Sequence, residues 1–180
     1  MKAEVGAKRR KEIRVLYKSI YESPLGKIIL TACSSGLTGL YFEGQKYFDI
    51  SCLEGYKDKE NAAIKKAKKW LDVYFSGQAP EIEVPLCPEG TQFQLQVWEI
   101  LRTVPYGETI TYGEIAKRIA AGRGLEHMSA QAVGGAVGHN KISIMIPCHR
   151  VIGADGSLTG FAGGVERKAA LLALEKIALS

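Results

Sequence analysis

The spacing of apolar side chains changes character about halfway along the 180 residues. Segments 13–20, 27–32 and 37–42 are rich in β-branched and aromatic residues. They are separated by Ser23-Pro24-Leu25-Gly26 and Ser34-Ser35-Gly36, both turn-forming clusters. The pattern predicts a small antiparallel meander. Segment 61–75 then carries Ile64, Ala67, Leu71 and Tyr74 at helical spacing, with Lys65, Lys66, Lys68 and Lys69 on the solvated face. Ser76-Gly77-Gln78-Ala79-Pro80 ends that helix, and the Pro- and acid-rich stretch 80–90 reads as a linker between two domains.

Beyond the linker the period is helical. Thr91-Gln92-Phe93-Gln94 forms a capping box that opens a helix with Phe93, Val97, Ile100 and Leu101 inward, and Pro105-Tyr106-Gly107 breaks it. Thr111-Tyr112-Gly113-Glu114 is a second capping box, starting a helix that buries Ile115 and Ile119 and closes at Gly122-Arg123-Gly124. Ser129 is placed to cap a third helix, running to about Gly138. Two short helices joined by a turn, behind a supporting helix, are the parts of a helix-turn-helix. Asp155-Gly156, between Val151-Ile152 and Ser157-Leu158, is a hairpin signal, and a hairpin here would be a wing. Segment 165–179 closes the chain as an amphipathic helix. The third helix, Ala130-Gln131-Ala132-Val133-Gly134-Gly135-Ala136-Val137-Gly138, has little bulk and no charge. Each interior glycine costs about 1 kcal/mol relative to alanine, so close approach of a large partner or tight internal packing must offset it. The sequence leaves both open.

Charge narrows the choice of partner. The net charge is +5, but residues 1–85 hold 15 basic and 11 acidic side chains whereas residues 86–180 hold 9 and 8. If the nearly neutral second half binds nucleic acid, it does so through a few placed contacts and helix ends, not through a broad basic field. Lys8-Arg9-Arg10-Lys11 lies in a basic arm, residues 1–12, that is solvated or adds a phosphate contact. No apolar run is long enough to cross a bilayer, and Met1-Lys2-Ala3-Glu4 opens no secretory h-region, so no membrane partner and a cytoplasmic location are expected (nuclear in a eukaryote). Cys33, Cys52, Cys87 and Cys148 are scattered and form no C-x-x-C pair, which argues against a zinc site and for reduced thiols. Gly160-Phe161-Ala162-Gly163-Gly164 lacks the dinucleotide fingerprint and its surrounding fold. No cofactor and no metal are expected.

The reactive chemistry concentrates at Cys148, where the apolar run Ile144-Met145-Ile146-Pro147 ends in Cys148-His149-Arg150. Imidazole and guanidinium neighbours favour thiolate over thiol, and the thiolate is the nucleophile. A small core cysteine is the alternative.

Tyr106-Gly107-Glu108-Thr109-Ile110-Thr111-Tyr112, Ala132-Val133-Gly134-Gly135-Ala136, Asn140, Ile146-Pro147-Cys148-His149-Arg150-Val151 and Gly160-Phe161-Ala162-Gly163-Gly164 form an ordered series. Together they resemble the O6-alkylguanine-DNA alkyltransferases through residues 90–175. Ser23-Pro24-Leu25-Gly26 is similar to the family's amino-terminal domain. The resemblance implies an α/β protein: a small ribonuclease-H-like α/β domain over 13–85, then a mainly α winged-helix domain over 90–180 that binds DNA and accepts the alkyl group. It implies a monomer that binds double-stranded DNA carrying O6-alkylguanine from the minor groove and flips out the damaged base. The alkyl group, from guanine O6 with thymine O4 left open as a second source, would then pass once and irreversibly to Cys148.

The resemblance also implies site roles. Cys148 is the nucleophile; His149 takes its proton through a water, Glu175 on the last helix orients the imidazole, and Asn140 orders the cysteine loop. Tyr112, Val151, Phe161, Ala162 and Lys168 form the base pocket. Gln131, Gly113, Ala130, Gly134, Gly135 and Arg150 face DNA. Two positions depart from the family pattern: Gln131 stands where an arginine often fills the gap left by the extruded base, and Phe161 where a tyrosine is common. A damage sensor that binds without repairing, a thiol hydrolase or isomerase, and a transcription factor with an incidental cysteine are the competing readings.

Overall fold

The computed structural model describes residues 15–177, so the basic arm and residues 178–180 lie outside the described part. The β-branched and aromatic segments of the first half form β1 (Tyr17–Ser23), β2 (Gly26–Cys33) and β3 (Gly36–Phe42), paired antiparallel in sequence order. A short β4 (Lys57–Asp58), absent from the sequence reading, adds in parallel to the free edge of β1, giving the order β3-β2-β1-β4. It is only two residues long, too short to leave a pattern. Helix α1 (Ala62–Phe75) is capped by the Asn61 side chain and lays Ala63, Ile64, Ala67, Leu71 and Tyr74 into the core. The opposite wall of that core is Ile28, Leu30, Ala32, Leu37 and Leu40.

The outer edge of β3 joins the two halves. Its backbone would otherwise be an open strand edge with unpaired donors and acceptors. Leu37 N donates to Pro85 O at 2.8 Å and Cys87 N to Leu37 O at 2.7 Å, so the linker is docked on the sheet. Further along, Leu40 N donates to Lys141 O at 2.9 Å and Ser143 N to Leu40 O at 3.0 Å. The segment leading to Cys148 is thereby anchored to the amino-terminal sheet.

Both capping boxes form. Thr91 caps α2 (Gln92–Arg102) with Gln94 reaching back, and Thr111 caps α3 (Tyr112–Arg123) with Glu114 reaching back. Helix α2 buries Val97, Trp98 and Leu101, while Phe93 and Ile100 are only partly covered. Helix α3 closes at Gly124 in the left-handed conformation, and Ser129 caps α4 (Ala130–Gly138). The glycines of α4 answer differently to the two explanations. A side chain at Gly134 would meet the Tyr112 ring at 3.7 Å, whereas one at Gly135 would meet nothing within 4 Å. Internal packing touches the first only at ordinary van der Waals distance and the second not at all, so it demands glycine at neither position.

The wing hairpin does not form. β5 (Ile110–Thr111) and β6 (Val151–Ile152) instead pair parallel to each other. The Asp-Gly turn is present, closed by Gly153 N to Ser157 O at 2.9 Å. Its first flank has already been taken by β5, so Ser157-Leu158 continues as loop. The last helix, α5 (Val165–Leu174), is shorter than expected: Glu175 is its cap, and Lys176 follows with φ 60°. Among the described residues no helix is long and apolar enough to cross a membrane.

Candidate active site

Cys148 opens a one-turn 3-10 helix, Cys148–Arg150, and is 4% exposed. The approach to it is strained: Ile144, a β-branched residue, sits at φ 68°, a region that costs such residues on the order of 1–3 kcal/mol. Asn140 holds that loop. Its buried amide Nδ2 donates to Ile146 O at 2.7 Å and to Cys148 Sγ at 3.1 Å, and its Oδ1 accepts from Ile142 N at 3.0 Å.

The electrostatic expectation for the thiol is overturned. Burial pushes the Cys148 thiol up, and the Asn140 hydrogen bond and the Lys168 charge only partly pull it back. Neither sequence neighbour bathes the sulfur in positive charge. His149 Nε2 lies 2.6 Å from Glu175 Oε1. Arg150 Nε donates to Glu175 Oε2 at 2.8 Å, its Nη2 to Glu175 Oε1 at 3.0 Å, and its Nη1 to Val104 O at 2.7 Å. Arg150, expected at the DNA surface, is therefore an interior residue, 8% exposed, because the buried carboxylate needs a counter-charge.

Glu175 is the hub. Besides these groups it accepts from Gly107 N at 3.1 Å and from the Tyr74 hydroxyl at 2.7 Å. Burial alone would raise its pKa, but the His149 and Arg150 donors outweigh burial and hold it down at about 2. Burial lowers the His149 pKa, with Glu175 opposing, so the imidazole is neutral near pH 7. The carboxylate contact assigns the ring proton to Nε2. That leaves Nδ1 as the acceptor, buried and without a hydrogen-bond partner among the described residues.

A pocket of about 260 Å³ is lined by Tyr112, Gly134, Phe161 and Ala162 together with Lys46 and Tyr47. Cys148 is not part of its lining. Tyr112, the first residue of α3, donates its hydroxyl to Thr159 O at 3.0 Å. Lys168 is fully buried, and its Nζ reaches Val151 O at 2.5 Å and the same Thr159 O at 2.8 Å. Burial lowers its pKa to about 8. Phe161 is buried edge-on to Phe42 at 6.4 Å. Ala130, Gln131 and Gly135 are exposed along α4 with Gly134 half-buried, and Gly113 is exposed at the start of α3. A larger groove, about 460 Å³, runs over the amino-terminal sheet near Ile20 and Ile50, but its lining holds neither cysteine nor histidine. No group of three or more His, Cys, Asp or Glu that could hold a metal occurs among the described residues.

Sequence reading missed several contributors, among them Tyr74 and Gly107 on the carboxylate, Thr159 beneath Tyr112 and Lys168, and Lys46 and Tyr47 on the pocket rim. Tyr74 did show as a polar tip on an apolar helix face, but that spacing fits an ordinary core residue. Tyr47 left no signal; its φ of 61° and its stacking on His139 at 4.2 Å come only with the fold.

Two family models cover nearly all of the described chain. Residues 16–88 match the ribonuclease-like domain of 6-O-methylguanine DNA methyltransferase, and residues 92–177 match its DNA binding domain. The chain belongs to the 6-O-methylguanine DNA methyltransferase family. Relatives in this family include a methylated-DNA--protein-cysteine methyltransferase of Methanosarcina acetivorans, 43% identical over 161 residues, which span 89% of this chain and 98% of the relative. That of Mycobacterium bovis is 46% identical over 160 residues, 89% of this chain and 92% of the relative. The crystal structure of Mycobacterium tuberculosis OGT in complex with DNA superposes with a TM-score of 0.78 at 44% identity, covering 89% of this chain and 92% of that one. The 6-O-methylguanine DNA methyltransferase architecture is thus present in full: a ribonuclease-like domain with its sheet, then a helical DNA-binding domain.

Proposed function

We propose that this protein repairs duplex DNA by moving an alkyl group from O6 of guanine to Cys148 Sγ, once per molecule. One observation carries the reading: a buried thiol, held by Asn140, lies next in sequence to an imidazole that a buried carboxylate orients as a base. In the step, Sγ attacks the alkyl carbon and an S–C bond forms as the C–O6 bond breaks. The electron pair stays with the purine, and the thiol proton passes through a water to His149 Nδ1. A resting thiol with a raised pKa suits this, because the charge is created only when the base is in place. Glu175 stabilises the imidazolium that results. The product is a thioether, a poor leaving group, which makes the reaction stoichiometric.

The damaged base is extruded into the pocket beside Phe161, with α4 in the minor groove. Exposed Gly135, which internal packing does not require, supports close approach of DNA to that helix. The Tyr112 hydroxyl turns from Thr159 O to donate to the departing guanine, stabilising the charge that develops on it. Gln131 fills the gap in the stack without adding a charge. Gln131→Arg is expected to tighten duplex binding and to steepen the dependence of log K on log salt by less than the roughly one unit that a full phosphate contact adds. Titrations across a salt series check this; unchanged or weaker binding contradicts the wedge role.

Incubation with a duplex containing O6-methylguanine, followed by intact-mass measurement, tests the reading. One methyl, a gain of about 14 Da, is expected per wild-type molecule and none for Cys148→Ala, since the acceptor is a covalent nucleophile. Binding without a mass gain would instead identify a damage sensor.

A further inference from the structure

Glu175 draws one donor from the other half of the molecule. Tyr74, on α1, is fully buried and places its hydroxyl 2.7 Å from Glu175 Oε1 and 3.3 Å from His149 Nε2. The three residues therefore meet at one carboxylate oxygen, which also receives Arg150 Nη2. The Tyr74 ring is fixed independently of its hydroxyl, stacked on Trp70 at 5.2 Å and edge-on to Tyr106 at 6.0 Å. Packing alone thus accounts for the ring but not for where the hydroxyl points.

We infer that Tyr74 is a positioning residue of the relay: the ribonuclease-like domain supplies the hydrogen bond that sets the basicity of His149. This rests on His149 acting as the base in alkyl transfer. A donor on Oε1 draws electron density from the oxygen that faces the imidazole, so it weakens the stabilisation of imidazolium. The charged and titratable groups around the imidazole are Glu175 and Lys168 from the end and body of α5, Arg150 and Cys148 from its own turn, and Tyr74 from α1. Tyr106 stands behind Glu175. Of these, Tyr74 is a neutral donor whose removal leaves every formal charge in place. Burial raises its own pKa far above the ordinary phenol range, so it donates at every working pH.

The test is the pH profile of single-turnover methyl transfer from an O6-methylguanine duplex. In Tyr74→Phe the acid limb is expected to move to higher pH by about half to one unit, because a carboxylate with one fewer donor holds the imidazolium more tightly. With 3-fluorotyrosine at position 74, a stronger donor of nearly the same shape, the limb is expected to move the other way. A limb that stays in place in the fluorinated protein, or in a folded Tyr74→Phe whose melting temperature alone falls, overturns the inference and leaves Tyr74 a packing residue. If wild type itself takes up no methyl, the alkyl-transfer reading fails instead, and the two failures are distinguished by that control.

Discussion

Glu175→Gln is expected to destabilise the protein by about 3–5 kcal/mol, the usual cost of stripping one partner from a buried ion pair. Among the described residues the carboxylate is the only anion bonded to the Arg150 guanidinium, and it also accepts from His149, Tyr74 and Gly107. An amide would aim its two N–H groups at donors and leave Arg150 charged without compensation. For a chain of this size the loss corresponds to a fall in melting temperature of roughly 6–20 °C, at about 2–4 °C per kcal/mol. The pH dependence has a definite sign. The folded-state pKa of Glu175 is depressed to about 2. Its contribution is therefore complete above the unfolded carboxylate value of about 4.3 and is lost as pH falls through that value toward 2. The difference between wild type and Glu175→Gln should be constant above about pH 5, once the unfolded carboxylate is ionised, and close on acidification. Urea unfolding from pH 7 to pH 3 checks this. Alkyl transfer should slow by about 100-fold or more, since the base loses the group that orients it.

Asn140→Ala is the second large effect. It removes the amide that bonds Ile146 O and the sulfur, and the oxygen that accepts Ile142 N–H. One buried backbone group, Ile142 N–H, is left without a partner among the described residues at a cost of about 1–3 kcal/mol, while Ile146 O keeps only the bond from Cys148 N at 2.7 Å. The strained turn at Ile144 is then free to relax, and the sulfur moves with it. A misplacement of about 1 Å at a nucleophile costs on the order of 100-fold in rate. Single-turnover kinetics with saturating duplex should show that loss while duplex affinity, on the proposed docking of α3 and α4 against DNA, stays near wild type. Asn140→Asp separates geometry from charge: it keeps the Ile142 contact but sets an anion beside the sulfur. It should raise the thiol pKa further and react more slowly than wild type at neutral pH.

Local chemistry was legible in the sequence. Thr91 with Gln94 and Thr111 with Glu114 announce helix starts because both partners lie within one turn, and the β-branched and aromatic content of 27–32 and 37–42, bounded by turn residues, announces strands. What did not show depends on contacts between distant positions. Arg150 looked like a surface cation beside the thiol until Glu175, 25 residues on, claimed it. Lys168 was placed in the base pocket by resemblance alone, and nothing local showed that two backbone carbonyls hold its ammonium in the interior. Tyr74 reads as core by spacing, and the partner that gives its hydroxyl a role is 101 residues away. The Asp155-Gly156 turn was visible, but not that β5 would capture the strand before it. The effect of burial on Cys148 was hidden for the same reason: neighbours in sequence are not neighbours in space once a 3-10 turn carries successive side chains apart.

The most direct test follows the carbon atom. A duplex carrying a 13C-methyl group on guanine O6 is mixed with excess protein, and the label is traced by NMR and by mass spectrometry of the digested chain. One S-methylcysteine per guanine repaired, at position 148 and nowhere else, is the result expected. Label recovered as methanol, label on another side chain, or more than one methyl consumed per protein molecule when DNA is in excess would each contradict Cys148 as a sacrificial acceptor.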